Sequence, residues 1–312
     1  MKNNKQTAVV GCGWFGRAHV RNYDGLSDLV AVCDQNKDLS EKVAKQYGIR
    51  AYSDVNVMLK EESIDAVSIV TPPQTIPEIG LACAKKGIDL LLEKPCATKL
   101  SDLDQLAEFD ESIRIMPGFL ELFNPVFKEL IDNLPEIGEI MTIDSTRIGL
   151  FPKRNWGIGV MMDLGVHDVY LHRELAKILS NDNSVVEVSS VFKYTTVEEK
   201  FEDAIFVLLK FHKMVTCISA NWITPSKFRK LKVAGTDATL EADFMAGTVL
   251  KIWGEDLRDP SARTINQLIT PLIREEPLQR EINTFLYEKQ IPVGLPDAHD
   301  VLKITLQALH KI

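Results

Sequence analysis

Between residues 7 and 118, short aliphatic runs alternate with longer stretches in which apolar positions recur every three or four residues. TAVV (7–10), LVAVCD (29–34), DAVSIV (65–70), IDLLLE (88–93) and IRIMPG (113–118) are predicted strands, apolar nearly throughout, as strands covered on both faces are. LSEKVAKQYG and IPEIGLACAKKG carry helical spacing, and each closes on a glycine, a common helix stop. Strands alternating with helices predict a parallel sheet with helices packed on it.

After about residue 119 the pattern changes. A helix is predicted from Asn124 and Pro125, followed by EIMTIDSTRIG and the glycine-rich WGIGVMMDLG. From 184 to 252 come the strand candidates SVVEVSSVFKYT, DAIFVLLKF, VTCISANW, RKLKVAG and ATLEADF, and hairpin-like joins at KFHKM and GTDA predict a mostly antiparallel sheet. Helices are expected near 277–289 and 297–311. With no repeat, low-complexity tract or long linker, the expected division is 1–120 and 121–312.

A chain of 312 residues is long enough for two cores, and 45% hydrophobic with 26% charged residues is an ordinary folded composition. The formal charge of −8 disfavours a nucleic-acid surface, so an anionic ligand must meet a local basic pocket. Five scattered cysteines without CxxC spacing predict neither a disulfide framework nor a zinc site. Without a signal-peptide pattern or a run of ~20 apolar residues, a soluble cytoplasmic protein, off the membrane, is expected.

GCGWFG sets Gly11, Gly13 and Gly16 in GxGxxG spacing between a strand and a helix. Gly11 allows the tight turn, Gly13 the approach of a pyrophosphate, and Gly16 the close packing of helix on strand, while the helix N-terminus offers N–H groups to phosphate. Cys12, Trp14 and Phe15 lie within the same turn and are expected at the cofactor. The next strand ends in Asp34, where a carboxylate accepts from an adenosine ribose and repels a 2′-phosphate. NAD is therefore expected rather than NADP, although Lys37 is near. Thr71 and Pro72 form a stiff turn at the same sheet edge. A purely structural glycine turn is the alternative.

Alcohol oxidation needs a proton acceptor and a group that stabilises the developing alkoxide. Glu93 and Lys94, before Pro95, stand at the carboxyl end of the fifth predicted strand, the edge on which the dinucleotide should lie, and both are expected at the cofactor as well. Asp163 and His167, four residues apart, share a face if the segment is a regular helix, so the carboxylate would orient the ring. A structural hydrogen bond on one helical turn is the other reading. Tyr170 falls near the pair, Asp168 points elsewhere as a supporting residue, and no third ligand suggests a metal.

Together GxGxxGxxH (Gly11 to His19), EKP (Glu93 to Pro95) and DxGxH (Asp163 to His167) resemble the glucose–fructose oxidoreductase / inositol dehydrogenase / MocA family over almost the whole chain. The resemblance implies an N-terminal NAD-binding Rossmann domain with a doubly wound parallel sheet. It implies a second α/β domain for substrate binding and oligomerisation, with an open, predominantly antiparallel sheet. Lys94, Asp163 and His167 then occupy catalytic positions, His167 as proton acceptor. GFLELFNPVF and the segment from Arg147 to Asp168 look most like enzymes oxidising UDP-N-acetylglucosamine at the 3-position. Arg147, Lys153 and Arg154 are candidates for its diphosphate, or else solvated loop residues. Inositols and free sugars are the nearest other substrates, and a nucleotide-binding sensor the non-enzymatic alternative. The chain departs from the family at Ile76, where a histidine is frequent, at Tyr170, where an acid is frequent, and at Phe119 and Leu122, which replace polar residues. A homodimer or homotetramer is implied.

Overall fold

The computed structural model describes residues 5–152, 157–193, 201–254, 264–271 and 275–312. Its first part runs β1 (Gln6–Val10), α1 (Trp14–Leu26), β2 (Asp28–Cys33), α2 (Lys37–Tyr47), β3 (Arg50–Tyr52), α3 (Val55–Glu61), β4 (Ala66–Ile69), α4 (Ile76–Ala84), β5 (Asp89–Glu93), α5 (Leu100–Ala107) and β6 (Ile115–Gly118). Then come α6 (Pro125–Asn133), β7 (Ile140–Ile148), α7 (Val166–Ser180), β8 (Val185–Lys193), β9 (Ala204–Phe211), β10 (Val215–Asn221), β11 (Phe228–Gly235), β12 (Ala238–Asp243), β13 (Thr248–Gly254) and β14 (Thr264–Ile269). Two helices follow, α8 (Pro277–Tyr287) and α9 (Leu295–Ala308).

The first sheet has the order β3-β2-β1-β4-β5-β6 with every pairing parallel. All five predicted strands are present. β3, three residues long, is too short to leave a periodic signal. Leu90, Leu91 and Leu92 of β5 are fully buried, each contributing roughly 1.5–3 kcal/mol. Strand order reverses between β1 and β4, and such a reversal opens a crevice at the strands' carboxyl ends.

The second sheet, β14-β13-β12-β11-β7-β10-β9-β8, is antiparallel except where β7 and β10 run parallel. The GTDA join closes β11 on β12, and at the KFHKM join Phe211 N donates to Met214 O at 2.8 Å. Strands β13 and β14 extend the sheet beyond the predicted set. Helices α6 and α7 cover one face. The other exposes Val191 (74%), Phe206 (59%), Leu208 (49%) and Val215 (48%).

By contacts the chain forms two compact units, Met1–Leu120 with Glu276–Leu302, and Glu121–Glu275 with Lys303–Ile312. A single cut after residue 120 therefore misses the return of 276–302 to the first unit. The return has a hydrophobic cause: α8 buries Leu278, Ile282 and Phe285 and packs on α1.

Candidate active site

In the first unit, Gly11 has φ +101°, and a Cβ there would collide with the carbonyl of Val70, so only glycine fits the turn. A Cβ on Gly16 would strike the carbonyl of Gly11, which brings helix α1 hard against its own entry turn. At Gly13, the N-cap of α1, a Cβ would meet nothing within 4 Å, and no side chain caps the helix. That leaves room and N–H donors for a phosphate, so the turn fits a pyrophosphate.

Asp34 accepts from Cys12 N at 2.7 Å through Oδ2 and from Asn36 N at 2.8 Å through Oδ1, which pins the carboxylate beside the glycine turn. Cys12 contributes through this backbone bond. Its side chain is buried, and burial, reinforced by Asp34, pushes the thiol up to about 12. Trp14, 81% exposed, stacks on Phe15 at the start of α1. Thr75 Oγ1 lies 3.0 Å from Thr71 Oγ1 and 2.9 Å from Pro72 O, bracing the turn whose Thr71 methyl borders Gly11.

Beneath Lys94 runs a buried polar chain. Tyr23 Oη is 2.8 Å from Ser68 Oγ, which is 3.1 Å from His19 Nδ1, and His19 Nε2 is 3.2 Å from Glu93 Oε1. With a carboxylate oxygen as acceptor, Nε2 carries the proton and Nδ1 accepts from Ser68, which in turn accepts from the phenol. Burial raises the Tyr23 pKa, which keeps it a donor. The other Glu93 oxygen accepts from Lys94 N at 3.2 Å. Glu93, a candidate for the cofactor, is buried and supports the backbone of Lys94. The Lys94–Pro95 peptide is cis.

In the second unit, residues Met161–Gly165 form a π turn and α7 begins only at Val166. The regular helical face assumed for Asp163 and His167 is therefore interrupted between them. Glu202 fixes the turn, its Oε1 accepting from Met161 N at 2.9 Å and its carbonyl from Val160 N at 2.9 Å. His167 Nδ1 is 2.7 Å from Tyr170 Oη, and that oxygen accepts from Glu121 N at 3.1 Å. The sequence reading did not assign this role to Tyr170.

Arg147 does not present itself to a diphosphate. It is 2% exposed, and its guanidinium spans Asp168, by Nε–Oδ2 at 3.1 Å and Nη2–Oδ1 at 3.2 Å, and Glu121 Oε1 at 2.9 Å. Burial alone would weaken the cation, but the two carboxylates outweigh it and raise its pKa. Burial also opposes ionisation of Glu121, yet Arg147, Arg229 and Asn124 hold it below the usual carboxylate value. Lys153 and Arg154 lie outside the described residues.

On the same helix His172 is fully buried, its Nδ1 2.8 Å from Thr216 Oγ1. Burial, then the charge of Arg147, lowers its pKa from 6.5 to about 3. Between those values the unfolded chain takes up a proton that the folded one refuses. Stability is thus fully present above about pH 6.5 and lost as pH falls toward 3, at about 1.4 kcal/mol per pH unit. Urea titrations of the wild type and His172→Gln at pH 7 and pH 5 should give the variant the shallower dependence.

Two family profiles match the chain: residues 5–113 match the oxidoreductase family with NAD-binding Rossmann fold, and residues 127–241 the GFO/IDH/MocA C-terminal domain. The UDP-N-acetylglucosamine 3-dehydrogenase of Acidithiobacillus ferrooxidans is 26% identical over 284 residues, 90% of this chain and 87% of that one. The myo-inositol 2-dehydrogenase of Thermotoga maritima is 26% identical over 219 residues, 65% of this chain and 64% of that one. The solved structure of the Acidithiobacillus enzyme shares the fold, with a TM-score of 0.84 at 24% identity, over 99% of this chain and 98% of that one.

Proposed function

The chain belongs to the Gfo/Idh/MocA oxidoreductase family, and from that premise we propose that it oxidises a secondary alcohol of a sugar or nucleotide sugar, with the 3-hydroxyl of UDP-N-acetylglucosamine the leading candidate. The observation that carries the reading is the built environment of both reacting groups. Lys94 is anchored through Glu93, and His167 is held at Nδ1 by Tyr170.

NAD, when bound, supplies the two-electron acceptor. The Gly11–Gly16 turn cradles its pyrophosphate, Asp34 receives the adenosine ribose, and Thr71 and Pro72 wall the crevice. His167 takes the hydroxyl proton at Nε2, the Lys94 ammonium stabilises the oxygen as negative charge develops, and Asp163 is the candidate third member of the catalytic set. Arg154 and Lys153 remain the candidates for a diphosphate.

The engagement of Arg147 by two carboxylates favours a second reading, an uncharged polyol such as an inositol or free sugar. Following NADH formation against UDP-sugars, free sugars and inositols decides between them. A protein that binds NAD and is inert to every alcohol would instead be a sensor. The exposed apolar row on the second sheet supports a homodimer or homotetramer, testable by light scattering. Four of the five cysteines are buried free thiols, which suits the reducing cytoplasm. No described helix is long and apolar enough to cross a membrane.

Asp34→Ala should weaken NAD binding by roughly 10–100-fold, the value of a hydrogen bond to a charged group, and narrow the preference over NADP. Fluorescence titration with both dinucleotides measures this. Unchanged discrimination would remove Asp34 from the ribose site.

A further inference from the structure

We propose that Tyr170 is the positioning residue that holds His167 in its proton-accepting tautomer, an inference that rests on His167 being the acceptor proposed above. The phenol is well placed for the task. Tyr170 is 2% exposed, its oxygen lies 2.7 Å from Nδ1, and the two rings meet edge to face, centroids 5.6 Å apart at 65°. The same oxygen accepts from the backbone of Glu121, whose carboxylate is held by Arg147 and by Asn124 at 2.9 Å. Arg147 in turn grips Asp168, two residues before Tyr170 on α7. The orienting oxygen is thus tied to its own helix through a closed, buried ring of contacts.

Proton accounting gives the arrangement its meaning. A phenol oxygen has one proton and two lone pairs, and Glu121 N–H occupies one lone pair. To accept a proton at Nε2, neutral His167 must carry its hydrogen on Nδ1, which then donates to the second lone pair. After transfer both ring nitrogens carry hydrogen, and the Nδ1–H bond to Tyr170 is unchanged. The ring therefore gains the substrate's proton without breaking or reversing its supporting bond. In the other tautomer the phenol rotates its own hydrogen toward Nδ1, Nε2 is already protonated, and the ring is unable to act as a base.

The charged and titratable groups around the pair are Asp163 in the π turn, Asp168, His172 and Arg173 on α7, Arg147 on β7, Arg229 on β11, and Glu121. Tyr170→Phe removes one oxygen, which also takes the acceptor from Glu121 N, and leaves every charged side chain among them in place. It should lower kcat about tenfold while leaving KM for the alcohol and NAD affinity within about twofold. The imidazolium loses an acceptor, so the pKa of His167 falls and the acid limb of the kcat profile moves to lower pH. Should the variant fold poorly, 4-fluorophenylalanine at position 170 keeps nearly the same shape, replaces the oxygen with a far weaker acceptor that stays uncharged, and should move the acid limb the same way.

If kcat and the acid limb are unchanged in both variants while His167→Ala abolishes turnover, the base assignment stands and the role of Tyr170 falls. If His167→Ala turns over normally, the base assignment itself fails. Imidazole ¹⁵N shifts then decide the inference separately: Tyr170→Phe must change the tautomer population of His167, and an unchanged population overturns it.

Discussion

Replacing Lys94 by alanine is expected to lower kcat by roughly 10²–10³, the range seen when one charge-stabilising donor is removed, while NAD affinity stays within about twofold. The side chain leaves the carboxyl end of β5, whereas the glycine turn and Asp34 gather at β1 and β2, so dinucleotide binding is expected not to depend on its ammonium. Steady-state kinetics with NAD fluorescence titration on the same preparation separates the two effects. Loss of NAD affinity from a folded variant would move Lys94 from chemistry to cofactor binding. Combining Lys94→Ala with His167→Ala adds a sharper criterion. Groups that serve one hydroxyl are strongly non-additive, so the double variant should be little worse than the poorer single one.

Arg147→Met is expected to destabilise the second unit by roughly 3–5 kcal/mol, the cost of leaving a buried charge without its partner. Glu121 and Asp168 both turn their carboxylates to this guanidinium. Deleting the cation therefore uncompensates two acids at once. Adding Glu121→Gln and Asp168→Asn should recover much of the loss, because neutral amides no longer demand a cation. Urea unfolding of the single and triple variants measures both steps. A single variant as stable as the wild type would show that the three groups are not coupled as their distances indicate.

Most of the first sheet is legible from its hydrophobic runs because strands buried on both faces write continuous apolar words. The glycine turn, Asp34 and the EKP stretch are legible too, since each needs a particular residue type at a particular place. What escaped depends on partners far away in the chain. His19 meets Ser68 and Glu93 across 49 and 74 positions, and no local period announces those bonds. Arg147 was misjudged although a signal existed. In IMTIDSTRI the two-residue period puts it on the face of Ile143 and Ser145, both buried, where a cation needs acids. The reading of Asp163 with His167 assumed an unbroken helix, and the π turn removed that premise.

Because α8 comes from the far end of the sequence yet covers α1, the first unit is sewn together from both ends of the chain. On the ribosome, where residues emerge in order, its dinucleotide-binding half must wait with a bare apolar flank while the entire second sheet is synthesised. Truncation before Pro277 should therefore yield a nascent product that engages chaperones rather than a free-standing nucleotide binder.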